Sequence, residues 1–147
     1  MNIILSIKPQ WAKLIYEGKK IIEWRKSYPL NYIPGKTKVY LYETVPIKKI
    51  TGFFYLKSVG VYTKKFFGLG SKEGEEFIKC GCVSKDDLIK YQGQSDYLYI
   101  WIIDRPTILH QNLNITEFNI KRPPQSWCYT KRKLTTCKRY FEDKEDT

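Results

Sequence analysis

The stretch Gly18-Lys-Lys-Ile-Ile-Glu-Trp-Arg-Lys26 contains the residues best suited to chemistry. A strand alternates its side chains, so Glu23 and Arg25 share one face with Ile21, while Ile22 and Trp24 point the other way and form the expected core face. A carboxylate and a guanidinium side by side in a partly enclosed pocket can grip a polar ring or a phosphate. Alternatively, an i, i+2 ion pair on an exposed edge strand would contribute little.

The surrounding elements follow from periodicity and punctuation. Asn2 to Ile7 reads as a strand, and Pro9 opens a helix at its preferred first position, with Trp11, Ala12, Leu14 and Ile15 facing the core until Gly18 ends it. A Pro- and Gly-containing loop from 29 to 35 precedes a strand over Thr37 to Thr44, which delivers Tyr42 and Thr44 close to Pro46. Ile50 to Tyr62 predicts a long strand in which Gly52 or Gly60 marks a bulge. Ser71 to Lys79 and Ser84 to Tyr91 predict helices with serine caps. Tyr97 to Asp104 reads as a central strand, with Thr107 to Leu109 a continuation after Pro106. Ile115 to Phe118 reads as a 3₁₀ turn and Ser126 to Tyr129 as a closing strand.

Charge is segregated along the chain. The net charge is +11, and Glu142 to Thr147 holds four acids against one lysine, so residues 1–141 carry +14. Eight lysines and the single acid Glu43 lie between Ser27 and Lys72, and seven Lys or Arg with no acid between Phe118 and Phe141. The acids gather in Glu73 to Asp96. This pattern, interleaved with tyrosine and tryptophan, fits a face that follows the phosphate backbone of RNA or DNA and stacks single-stranded bases. No apolar run approaches the ~20 residues of a membrane helix, and the N-terminus lacks a signal-peptide pattern, so a soluble, cytoplasmic protein is expected. Cys80, Cys82, Cys128 and Cys137 form no Cys-x-x-Cys pair and His110 lies near none of them in sequence; reduced thiols and no metal or cofactor are expected. One domain over residues 1–138 and a charged, disordered tail over 139–147 complete the reading.

The Gly-x-Lys-x-x-Glu-x-Arg pattern of Gly18, Lys20, Glu23 and Arg25, the segments Leu5 to Ala12 and Tyr42 to Gly52, and the run Arg-Pro-Pro-Gln-Ser-Trp-Cys-Tyr at 122–129 together resemble the ASCH domain of the PUA-like superfamily, in its phage and bacterial form. The resemblance implies an α+β fold, a small curved β-barrel flanked by helices, with a cleft between barrel and helix for RNA or a nucleotide-like ligand. In similar amidohydrolases that deacetylate N4-acetylcytidine, a lysine at the place of Lys20 is catalytic with a threonine and a glutamate. Here Glu23 stands where the threonine would be, Thr44 or Ser126 is left as a substitute hydroxyl, and Glu75 or Glu76 as the third partner. Lys20 is then expected as a surface or phosphate-contacting lysine ahead of a catalytic one.

Other members of the superfamily are described as ribonucleases, and that resemblance implies a reaction in which Lys8, Lys20, Arg25 and Lys48 supply cations and Glu23 or Tyr42 the general base. His110 reads as a surface histidine and Trp127 as core, with Ser126 and Tyr129 as further cleft candidates. The leading reading is an RNA- or nucleotide-binding domain in RNA metabolism or translation-linked regulation. A hydrolase with Lys20 and Glu23 at its centre comes next, and a regulator acting through a protein partner third.

Overall fold

The computed structural model describes residues 1–63 and 72–131. Strand β1 (Asn2–Ile7) leads into helix α1 (Pro9–Tyr16) and strand β2 (Ile22–Arg25). Strands β3 (Lys38–Glu43) and β4 (Lys49–Thr63) follow, then helices α2 (Lys72–Cys80) and α3 (Lys85–Gln92). The long strand β5 (Tyr97–Leu113), a 3₁₀ turn (Ile115–Phe118) and β6 (Trp127–Thr130) end the described chain. The expected cap Ser71, Cys137, and the boundary and tail expected beyond residue 138 lie outside the described residues.

The six strands form one mixed sheet in the order β2-β5-β4-β3-β1-β6, with β1 parallel to β3 and the other neighbours antiparallel. The ladder has β2 and β6 as its two edges, and no strand pairing joins them to close a barrel among the described residues. What does cross between them is a side chain. Arg25 of β2 donates from Nη2 to the Ser6 carbonyl of β1 at 2.9 Å and from Nη1 to Ser126 Oγ, just before β6, at 3.2 Å.

The sheet is bent by bulges. Three register shifts interrupt the pairing of β4 with β5, one of them at Gly52. A Cβ on Gly52 would lie 2.3 Å from the Thr107 carbonyl oxygen and 2.5 Å from the Tyr16 hydroxyl, so only glycine lets the strands approach there. Gly60 marks no bulge, since the pairing runs unbroken from Ser58 to Thr63. Strand β5 also runs further than its sequence suggests. Between the pairs Phe53–Thr107 and Tyr55–Asp104, β4 advances two residues and β5 three, and this extra residue, with Arg105 at φ 48°, carries Pro106 through without ending the strand.

Both faces of the sheet are covered. Ile3, Leu5, Leu41, Phe54 and Trp101 form the main core with Ala12 and Ile15 of α1. Tyr40, Tyr42, Phe53 and Phe118 form a second cluster. Ile22 and Trp24 are buried as expected, in a third cluster with Tyr62, Ile100, Ile78 of α2 and Leu88 of α3. The opposite face of β2, carrying Glu23 and Arg25, pairs with Trp101 and Tyr99 and so borders the main core. β2 is therefore an edge strand with both faces enclosed.

Candidate functional site: the cleft between α1, β2 and α3

Three local features set the site. Gly18, at φ 76°, ends α1, and the backbone N–H groups of Lys19 and Lys20 both bond the Leu14 carbonyl. This tight turn drives the Lys20 side chain inward, where it is 1% exposed. Next, Ile21 N–H bonds the Cys80 carbonyl and the Ile103 N–H bonds the Ile21 carbonyl, fixing the entrance of β2. Last, Ser84 caps α3 by accepting from the Asp87 N–H at 3.1 Å, which directs the first turn of that helix over β2.

Lys20 Nζ donates to the Gly81 carbonyl oxygen, stands 3.9 Å from Glu23 Oε1 and lies 5.5 Å from the centre of the Trp11 ring. The expectation of a surface lysine is corrected: the turn after Gly18, rather than charge, decides where Lys20 goes. Burial lowers its pKa below the ordinary lysine value; Glu23 and Cys82 oppose that shift, and Arg25 adds to it. Glu23, with its side chain 9% exposed, accepts the Trp24 N–H at Oε1 at 3.0 Å, while its Oε2 has no hydrogen-bond donor and lies 3.8 Å from Arg25 Nη2. A carboxylate thus sits between two cations, bonded to neither.

Above this group opens a cleft of about 590 Å³. Lys8, Gln10 and Trp11 border it from the start of α1, Glu23, Trp24 and Arg25 from β2, Asp87, Leu88 and Tyr91 from α3, and Thr44 and Gln125 from two loops. Lys8 is exposed at the rim, and Thr44 is held there by its N–H bond to the Ile7 carbonyl. Ser126 meets Arg25 beside the cleft.

Other expected site residues do not line it. Tyr42 is buried in the second cluster, because the β3 face it shares with Tyr40 packs on Ile50 and Phe53. Tyr129 packs edge-on against Trp127 at 5.3 Å on the main core. Lys48 is exposed in the turn before β4. Glu75 and Glu76 are exposed on α2, and Glu76 borders a separate hollow of about 460 Å³ with Ile21 and Cys80. His110 is exposed on β5, and Trp127, expected in the core, is half-buried with its Nε1 donating to Ser27 Oγ at 2.8 Å. Cys80, Cys82 and Cys128 carry free thiols, and no group of three or more His, Cys, Asp or Glu among the described residues could hold a metal ion.

The cleft also contains residues that the sequence alone did not single out. Trp11 reads as core by its place in the helical stripe, yet it is half-buried at the cleft wall. Asp87 and Tyr91, four apart on α3, share a helix face, and that spacing is the one available signal. Gln10 and Gln125 offered none.

A mixed six-stranded sheet with helices over its β2 edge and a charged cleft at their junction defines a small α+β domain built around one recessed site. The chain belongs to the ASCH domain family, whose model matches residues 5–105. The crystal structure of an ASCH protein from Zymomonas mobilis has the same fold, with a TM-score of 0.73 at 19% identity over 97% of this chain and 94% of that one. An ASCH domain-containing ribonuclease from Zymomonas mobilis is 36% identical over 56 residues, 38% of this chain and 36% of the relative. The large ribosomal subunit protein uL22 of Ureaplasma parvum is 24% identical over 131 residues, 88% of this chain. That alignment spans 39% of the ribosomal protein, so this chain matches well under half the length of either curated relative. No helix among the described residues is long and apolar enough to cross a membrane.

Proposed function

We propose that this protein binds single-stranded RNA, or a nucleotide-like part of it, in the cleft between α1, β2 and α3. The observation that carries the reading is the cleft's composition: a rim lysine, Lys8, two partly exposed aromatic rings, Trp11 and Tyr91, and Glu23 and Arg25 at its base, with the buried Lys20 outside the lining but 3.9 Å from Glu23. Cations at the rim suit phosphates and aromatic walls suit bases. The +11 net charge supplies long-range attraction. Similarity to a ribonuclease and to a ribosomal protein supports RNA as the partner, and the reading puts the protein in a cytoplasmic, translation-linked setting. In this reading the curved sheet acts as a PUA-like barrel whose seam is spanned by Arg25. The test is the anisotropy of a labelled single-stranded RNA with the wild type and with Lys8→Glu, which alters an exposed side chain. Binding should weaken severalfold in the variant, and a wild type that binds no RNA at low salt would end the proposal.

A second reading, hydrolysis of RNA in the same cleft, is favoured by one observation. Lys20 has its pKa lowered by burial beside a carboxylate, so its neutral amine forms at lower pH than in a free lysine. Lys20→Met should then abolish cleavage while binding persists. Deacetylation of acetylated cytidine is disfavoured, because Glu23 occupies the position of the relatives' hydroxyl and stabilises the charged amine.

A further inference from the structure

We infer that the end of the sheet opposite the cleft is a second contact surface for the phosphate backbone of RNA, carried by Lys36, Lys38, Arg105 and Lys131. This rests on RNA as the partner and adds a surface that the cleft does not include. The strand register places it. Asn2 Oδ1 accepts the Lys38 N–H at 3.0 Å, Asn2 faces Thr130 of β6, Lys38 faces Tyr55 of β4, and Tyr55 faces Asp104 of β5. One row thus crosses five strands, and Lys36, Arg105 and Lys131 adjoin it, each exposed. Ser6, Ile7 and Lys8 border the cleft at the other end of β1, and the run from Asn2 to Ile7 spans about 17 Å.

Arg105 is held in a fixed posture at this end. It sits in the β5 bulge with φ 48°, a conformation that strains a residue other than glycine, and such bulges re-aim a side chain. Its guanidinium lies 3.8 Å from the centre of the Tyr55 ring, with Nη2 donating to the Gly35 carbonyl at 2.7 Å and Nε to Asp104 Oδ2 at 3.2 Å. The Lys38 ammonium lies 5.7 Å from the centre of that same ring and 4.7 Å from that of Phe53. Two cations drawn to one aromatic ring repel each other, and a phosphate beside them offsets that repulsion. Against these cations stands Asp104, paired with Arg105. The strand leaving the cleft is the polyanion within reach: at ~3.4 Å per stacked nucleotide, about five nucleotides bridge the length of β1.

The experiment measures the salt dependence of affinity for a labelled single-stranded RNA about 20 nucleotides long, enough to touch both ends. Wild type is compared with Lys36→Gln/Arg105→Gln/Lys131→Gln, with Lys8→Gln at the cleft, and with Lys13→Gln/Lys79→Gln/Lys90→Gln. The last removes the same charge from exposed lysines of α1, α2 and α3 that do not line the cleft. The first triple variant should lose on the order of tenfold or more in affinity, and its slope of log Kd on log salt should fall by about 2, three contacts at ~0.7 each. The second triple variant should show neither change. In the wild type, RNA should shield Lys36 and Lys131, but not Lys79 and Lys90, from an amine-reactive ester, a mass-spectrometric readout that needs no variant to fold. Equal losses in the two triple variants, or an unchanged slope in the first, would overturn the second surface while RNA binding stood. Loss in the first with none in Lys8→Gln would keep this surface and overturn the cleft as the RNA site. Phosphatidylserine vesicles that bind the wild type but not the first triple variant, with RNA affinity unchanged, would assign the surface to a membrane and overturn the inference. A wild type that binds no RNA would overturn this surface and the RNA reading together.

Discussion

Replacing Arg25 with alanine tests whether one side chain ties the edge strand β2 to β1 and to the segment entering β6. The guanidinium is 13% exposed and makes two hydrogen bonds, to the Ser6 carbonyl at 2.9 Å and to Ser126 Oγ at 3.2 Å. Bonds from a charged donor contribute about 1.5–3 kcal/mol each. Their loss leaves the carbonyl of Ser6, itself 7% exposed, without this donor, and leaves Glu23 with Lys20 at 3.9 Å as its nearest cation. Relief of the arginine's own desolvation offsets part of this, and a net loss of about 3–5 kcal/mol is expected for removing one partner of a buried ion pair. That is a large fraction of the ~5–15 kcal/mol stability of a typical domain. Urea unfolding followed by tryptophan fluorescence measures it. Arg25→Lys should recover only a small part, because one ammonium cannot reach both acceptors in the planar fork geometry. A loss below about 1 kcal/mol for Arg25→Ala would refute the tie.

Two further outcomes concern the packing and the titratable groups around the site. Trp24 is 4% exposed and meets the Tyr62 ring edge-on at 5.2 Å, so Trp24→Ala should cost about 3–5 kcal/mol in the same urea assay; a cost under 1 kcal/mol would show that the third cluster is not packed as described. In alkali, burial holds the pKa values of Tyr16, Tyr62 and Tyr91 above the ordinary tyrosine value. The unfolded chain then releases protons that the fold retains, and stability should fall as pH rises above about 10. Lys20 acts with the opposite sign, since its lowered pKa makes the fold more stable as pH rises toward ~10.4. Thermal melts from pH 8 to 11 check both: Tyr16→Phe should flatten the falling limb and Lys20→Met should remove the rise. Unchanged slopes would contradict the burial of these groups.

Much of the architecture could be read from period and punctuation. The strand–helix–strand opening was legible because Pro9 and Gly18 bracket an apolar stripe, and the buried pair Ile22 and Trp24 because a strand alternates. The course of β5 was not, because Pro106 is a local stop signal that a bulge in the β4 pairing overrides. Within the site, the adjacency of Glu23 and Arg25 was legible from their i, i+2 spacing. The depth of Lys20 was not, because it depends on two N–H groups sharing one carbonyl after Gly18. Tyr42 and Tyr129 are expected in the cleft with Thr44 and Ser126, yet the alternation of β3 and β6 sends both rings into packed clusters. Asp87 and Tyr91 enter the cleft through the docking of α3 on β2, a contact between segments more than 60 residues apart that no local pattern encodes.

The most direct test of RNA binding in the cleft is the affinity for a single-stranded RNA measured at rising KCl. If Lys8 and its neighbours neutralise about three phosphates, affinity should fall on the order of tenfold between 50 and 200 mM, with log Kd linear in log salt concentration. An affinity unchanged across that range, or no binding at its low end, would contradict the account.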